Sequence, residues 1–477
     1  MSAETKKYEG YWWLPENPDE KVTGSLSINS INRREGIELR IIGSLQSPHS
    51  SSSDRASPEI ILGQAINGNL ITLIDPIRTN SQSNSSNFSV DLSACTYRAQ
   101  VAIIGKRHFN SKEDVVFTSA DIRFSLLDEW LCQSGFSEEK KTNEQGHHTQ
   151  FNLKYEYLET IEFNIDSIDL KFKTKYVLDR HHKYLYLKYE ISQKSFFKVE
   201  PGHPQNLDWY NNIFESLRRF ITVLSGFPVS ITDIITYGNE YFIDKCIKTE
   251  NFNINHQLFN NFIETFDKHP NDLLTRLDHI GIELPVILNN WFEKSEILEP
   301  AIILYVATLS IDLGYSEFRF LNYAQALEAL HRRVFGGKYL TDEEYQPVCK
   351  IITNSIPKSV ETSHRDSLKG RIKYGHEFSQ RKRIKLLLDE VWEDCLDEYI
   401  DNKDVFIDKV INTRNYLIHY DSVSERQAAK GAEIFYIAEQ LKIILIAHIL
   451  LQLGIPKEIV YRDIKRFASF EYLKLKK

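Results

Sequence analysis

Two rhythms of apolar residues divide the chain. From residue 8 to about 200, apolar and polar positions alternate over short runs, the period of strands with one buried face. Ser25-Leu26-Ser27-Ile28 and Gly36-Ile37-Glu38-Leu39-Arg40-Ile41 show it most clearly. Further strand signals fall at 70–73, 99–104, 115–124, 161–165 and 184–189. Tyr11, Trp12 and Trp13 open the series, Pro15 and Pro18 close its first strand, and the two tryptophans read as core. Three polar stretches, 47–57, 80–87 and 137–149, interrupt the alternation and read as loops. Many short strands with long polar turns predict an antiparallel sandwich or open barrel.

Near Pro204 the rhythm lengthens. Leu207, Tyr210, Phe214, Leu217, Ile221 and Leu224 make a helical stripe that stops before Gly226. The segment 205–299 reads as mixed and mainly helical, with a β-like patch at 241–243. From Asn255 the pattern is helical almost throughout, and the stretch 462–477 is helical and basic. Helices are expected over 318–335, closed by Gly336-Gly337, and over 404–420. Ser424-Glu425-Arg426-Gln427 fits a capping box opening a very apolar helix that Gly454 and Pro456 stop. The expected architecture is α+β: an antiparallel β-sandwich-like domain (1–204), a connecting region (205–299) and an all-α helical bundle (300–477).

Composition narrows the picture. At 477 residues the chain is long enough for two or three domains. A net charge of −8 argues against a generally basic nucleic-acid coat, so any RNA contact must be local. The clearest local reversal of sign runs from His364 to Lys385, and Arg381, Lys382, Arg383 and Lys385 are its candidate phosphate contacts. Five scattered cysteines with no C-x-x-C pair point away from a disulfide framework or zinc finger. His147-His148 and His181-His182 are not spaced as zinc ligands with other candidates. No metal or cofactor is expected. The first residues lack a secretory pattern, and no run approaches 18 uninterrupted apolar residues. A cytoplasmic protein with no membrane segment is the expectation.

The candidate chemistry lies in Arg414-Asn415-Tyr416-Leu417-Ile418-His419, followed by Tyr420 and Asp421. Phe406, Val410, Thr413 and Leu417 form a largely apolar stripe, while Asp408, Asn412, Asn415 and His419 form a polar one. Arg414 and His419 fall about 140° apart on an ideal helix, so they are not a side-by-side pair. Asn415 and His419, at i and i+4, are neighbours. A histidine titrates near neutrality and can move protons, and an arginine is a permanent cation. On the 318–335 helix, Glu328 and His331 are candidate supports for this pair, although Glu328 and Arg332 could simply form an i, i+4 ion pair.

This stretch, with helical patterns on both sides, resembles the R-x4-6-H signature of HEPN domains. The opening Tyr11-Trp12-Trp13-Leu14-Pro15 with Gly24-Ser25-Leu26, and Phe320-Leu321 with Ala326-Leu327-Glu328, extend the likeness to the ApeA family of bacterial anti-phage proteins. The resemblance implies an abortive-infection ribonuclease that cleaves RNA, with tRNA as one candidate, without metal. Arg414, His419 and Asn415 would be catalytic, and Tyr420 and Asp421 supporting. It further implies two facing copies of the motif in a homodimer or larger even assembly, and a β domain that senses a phage-derived trigger. Two rivals remain open: a HEPN module that binds nucleotide, RNA or a partner without cutting, and a purely structural interaction protein.

Overall fold

A computed structural model of the chain describes residues 5–29, 36–45, 57–84, 92–182, 188–243, 246–256, 268–311, 314–467, 470 and 473. The strand expected at 184–189 lies largely outside these residues. So do most of the loop at 47–57, residues 85–87, and most of the basic stretch beyond 467. The chain forms two compact units, Met1–Pro270 with Arg276–Asp278, and Asn271–Thr275 with His279–Lys477.

The first unit is built on antiparallel strands. The leading strands are β1 (Lys6–Trp13), β2 (Val22–Ile28), β3 (Ile37–Ile42), β4 (Ile60–Ala65), β5 (Leu70–Ile74), β6 (Ile77–Asn84), β7 (Leu92–Ala99) and β8 (Val101–Gly105). Next come β9 (Val116–Phe117), β10 (Ser119–Phe124), a short helix α1 (Leu127–Leu131), β11 (Phe136–Thr142), β12 (His148–Tyr155) and β13 (Glu162–Ile165). The last are β14 (Leu170–His182), β15 (Tyr189–Pro201), β16 (Gln205–Asn206), helix α2 (Leu207–Ser225), β17 (Ile231–Ile243) and β18 (Cys246–His256). Among the described residues one hydrogen-bonded sheet runs β13-β14-β15-β10-β17-β18-β8-β5-β4-β1-β2-β3-β7-β6. Two of its strands, β17 and β18, come from the segment whose pattern reads as mainly helical.

A flat sheet could not bury its own faces. Trp12, Leu26, Ile37, Leu39, Ile41, Ile61, Ile71, Leu73 and Ala102 share one core and are almost wholly hidden from solvent. Among the described residues that core draws on strands and their turns with no helix, so the sheet folds over on itself in the manner of a sandwich. Trp12 lies at its centre because Gly63 leaves room; a Cβ there would overlap the indole. The far end of the sheet buries a second, aromatic core. Phe124, Trp130, Phe172, Phe197 and Phe220 interlock there with edge-on rings.

Two stretches depart from the loop reading. The polar run 80–87 begins as strand, because β6 is an outermost strand of the sheet and the side chains of residues 77–81 meet water. Most of 137–149 belongs to the hairpin β11–β12, a two-stranded sheet of its own whose faces are both largely exposed. Polarity marked exposure there, not absence of a strand.

The second unit is helical, as expected. Its helices are α3 (Leu277–Ile280, whose first two residues are counted with the first unit), α4 (Leu284–Glu293), α5 (Ser295–Ser310), α6 (Ser316–Val334), α7 (Asp342–Asn354) and α8 (Thr362–Lys373). They continue with α9 (Gln380–Val391), α10 (Lys403–His419), α11 (Ser422–Glu425), α12 (Ala432–Gln452) and α13 (Lys457–Arg466). α12 is apolar on every side and packs against α5, α6, α9 and α13. By length and composition it could cross a membrane, but 78% of its most apolar window is buried inside the protein, as in a core helix. Its buried charges are paired: Glu439, 2% exposed, holds Arg319 at 2.8 Å and Lys442 at 3.0 Å.

Candidate functional site

α10 begins where Asn402 accepts the backbone N–H of Val405 at 3.0 Å, an N-cap. With no Gly or Pro inside, it runs unbroken to His419. Phe406, Ile407, Val410 and Thr413 are buried, and α10 packs on α6 and α9. The helix stops at Tyr420, whose backbone is left-handed (φ 51°) and whose N–H returns to the Tyr416 carbonyl. Asp421 then accepts the N–H groups of Val423 and Ser424 at 3.1 and 2.9 Å. Those bonds hold its carboxyl below the usual carboxylate range.

The segment after the motif is tied back to α10. Thr413, fully buried, accepts the Ala429 N–H at 2.8 Å, and Asn412 donates to the Gln427 side chain at 2.8 Å. The capping box expected at Ser424 therefore does not form. Asp421 caps the single turn of α11 first, and α12 opens later, at Ala432, without a side-chain cap. Thr413 was legible only as a stripe residue; its bond to Ala429 joins positions 16 apart, which periodicity does not report.

Of the motif residues, Arg414 and Asn415 are half-buried and His419 is exposed. The Arg414 guanidinium donates to Asn415 Oδ1 at 3.3 Å. Among the described residues no hydrogen bond joins Asn415 to His419, so the one side-chain bond of Asn415 is the one to the cation. Tyr416 and Tyr420 bracket His419 in sequence, with rings edge to face at 5.4 Å. Ile418, Tyr420 and Val423 are exposed apolar side chains at this end of the helix.

The supporting residues from α6 are engaged elsewhere. Glu328 pairs with Arg332 at 3.3 Å, and Arg332 reaches on to Glu377 at 2.5 Å. His331 is buried, and its Nδ1 lies 3.1 Å from the Arg383 guanidinium. Burial first, then the neighbouring Arg383 and His448, push its pKa down to about 4, so the neutral ring accepts from Arg383.

Arg383 is the main correction to the basic run. It is 1% exposed and donates to the carbonyls of Gly336, Gly337 (3.2 Å) and Phe378 (3.1 Å). Gly336 and Gly337 both have left-handed backbone (φ 69° and 104°), which turns their carbonyls onto the guanidinium. A side chain withdrawn into that cradle cannot meet an external phosphate. Arg381 pairs with Asp408, and Lys385 lies 3.4 Å from Asp404, both acids on α10. Lys382 sits 6.0 Å over the Phe378 ring. Thus Arg381, Lys382 and Lys385 remain at the surface, on the helix next to the one that carries the motif.

Comparison with protein families gives two matches. The family model described as ApeA N-terminal domain 1 matches residues 7–291, and the one described as Apea-like HEPN matches residues 321–459. The second span takes in the whole of α10 and therefore Arg414 and His419. No curated protein and no solved structure matches the chain.

Proposed function

The chain belongs to the ApeA family, with an ApeA-like HEPN domain in its helical part, and from that footing we propose that it is an anti-phage ribonuclease that cuts RNA with Arg414 and His419. What supports the reading most is the position of the pair. Both residues sit in the last turns of α10, off its buried stripe, and neither is spent on a salt bridge among the described residues.

RNA scission by internal attack needs few groups. The 2′-hydroxyl must lose a proton as it attacks the adjacent phosphorus, and the 5′-oxygen must gain one as it leaves. An imidazole can serve either transfer, and a guanidinium can neutralise the charge that gathers on the phosphorane oxygens. Metal is not required by this scheme. Asn415 holds the guanidinium in place through its 3.3 Å bond, a positioning role. Because Arg414 and His419 diverge on the helix, two copies of α10 facing each other would surround one phosphate better than one copy could. The exposed Ile418, Tyr420 and Val423 offer apolar surface for that pairing. The first unit would then gate the enzyme in response to a phage-derived trigger.

The direct test is to incubate the purified chain with cellular RNA in the presence of a chelator and to map the new ends. Cleavage leaving 2′,3′-cyclic phosphate or its hydrolysis product is the expected result. RNA binding without new ends under any activating condition would favour a non-catalytic binding module. Light scattering at micromolar concentration is expected to show a homodimer or larger even assembly. A monomer that still cuts RNA would end the two-copy mechanism.

A second expectation concerns the surface of α9. Replacing Arg381, Lys382 and Lys385 with glutamine should weaken RNA binding and flatten its salt dependence by roughly one slope unit per lost phosphate contact. Equal affinity and equal slope in filter-binding assays would assign those residues to their acidic neighbours on α10 alone.

A further inference from the structure

The first unit carries a hollow of about 860 Å³ whose lining includes Lys173, Lys175, Lys198, Glu200 and Tyr237. Strand register puts its cations on one face. Lys173 of β14 stands directly across from Lys198 of β15, Lys198 stands across from Asp121 of β10, and Ser119 stands across from Tyr237 of β17. Lys173 and Lys175, two residues apart, share that face. The hollow exists because its floor is short. Gly238 has no side chain where a Cβ would press on Glu250, and Ser119, Thr118 and Thr249 are small. Lysines and Tyr237 form the walls.

The lysines converge. The ammonium groups of Lys175 and Lys198 both lie over the Tyr237 ring, 5.5 and 5.8 Å from its centroid. Like charges gathered on adjacent strands disfavour each other, and the protein as a whole is acidic. One anchor is fixed: Asp121, 1% exposed, binds Lys175 and accepts the Tyr237 hydroxyl at 2.6 Å. The other two cations are held loosely. Lys173 pairs with Glu162 at 3.0 Å and Lys198 with Glu200, and all four side chains are about a third exposed. Such half-exposed pairs contribute little and are readily exchanged for a better anion.

We propose that this hollow is a binding site for a small phosphate-bearing molecule of nucleotide size, held by Lys173 and Lys198 against the fixed Lys175–Asp121–Tyr237 anchor. The volume lies within the range of small-ligand sites. Two partly exposed ammonium groups lining the same hollow as the Ser119 and Thr249 hydroxyls match a dianion with several acceptor oxygens. Glu162 and Glu200 hold the cations in the absence of ligand and must release them when it binds. The site lies wholly in the first unit and does not depend on the cleavage chemistry proposed for the second.

The test is calorimetric titration of the whole chain with inorganic pyrophosphate and, separately, with ATP. Both should bind, more weakly as salt rises. Equal affinities would mean that the phosphate chain alone is read, and tighter ATP binding that the nucleoside is also seated. The double variant Lys173→Gln/Lys198→Gln should bind roughly tenfold or more weakly, the loss expected for two charge-assisted contacts. Glu200→Gln should bind more tightly, because it removes a competing anion while leaving the walls intact. Absence of binding of either probe at millimolar concentration overturns the proposal. So does unchanged affinity in the double variant, or weaker binding by Glu200→Gln. Binding of an RNA oligonucleotide through the same lysines without pyrophosphate binding overturns the small-ligand assignment.

Discussion

His419→Ala and Arg414→Ala are each expected to abolish RNA cleavage while leaving the protein folded. The first removes the motif's proton-transfer group, and loss of acid–base catalysis typically costs about 10²–10⁴-fold in rate. The second removes its fixed cation, a loss of about 10²–10³-fold where such a group stabilises transition-state charge. Neither residue belongs to the buried stripe of Phe406, Ile407, Val410 and Thr413, so neither change opens a core cavity. Substitutions outside the core usually shift stability by about 0.5 kcal/mol or less. Asn415→Ala should fall between wild type and the two null variants, because it frees the guanidinium without removing it. The measurement is cleavage by each purified variant with melting temperature and assembly size recorded alongside. A folded His419→Ala protein that cuts at the wild-type rate would remove His419 from the mechanism.

The largest effect on stability is expected at Arg383. Arg383→Met keeps much of the volume but removes the donor shared by the carbonyls of Gly336, Gly337 and Phe378 and the buried His331 ring, of which the Gly337 carbonyl keeps the Phe378 N–H. Hydrogen bonds from a charged donor contribute about 1.5–3 kcal/mol each, and the buried His331 ring, left without its donor, adds to the cost. A loss of about 3 kcal/mol or more is expected, with Arg383→Ala worse because it also leaves a cavity. Arg381→Ala and Lys385→Ala, in exposed pairs, should change stability by under about 1 kcal/mol. Urea unfolding of the set separates the two classes. An unchanged midpoint for Arg383→Met would mean that the cradle contributes nothing.

Sequence periodicity revealed elements better than it revealed partners. α2 ends at Ser225 before a left-handed Gly226, and α10 spans nearly the stretch its pattern marks, because both carry a strong apolar stripe and clear end signals. Capping patterns were less decisive. Thr341 and Glu344 form a reciprocal capping box at the start of α7, whereas Ser424 and Gln427 fit the same spacing and form none, because Asp421 caps α11 and the Gln427 N–H goes to the Ser424 backbone carbonyl. Polar strands were the weakest signal. β6 and the β11–β12 hairpin meet water and so lack the alternation that betrays a buried face. At the site, the residues of the motif were legible, but their partners were not. Arg383 sits among surface cations in sequence and among carbonyls in space. No spacing rule distinguishes the two, since its acceptors lie 46 and 47 residues away as well as five.

The order of α10 and α12 has a bearing on the cell that makes the protein. Translation delivers Arg414 and His419 before it delivers α12, the helix against which α5, α6 and α9 pack. Ribosomes add about 5–20 residues per second, so the motif spends on the order of seconds on a nascent chain whose bundle has no centre. Over that interval Arg414 and His419 are not held by a finished helical bundle. If the pair cuts RNA as proposed, synthesis order withholds the finished site from the ribosome's own RNA until the chain is nearly complete.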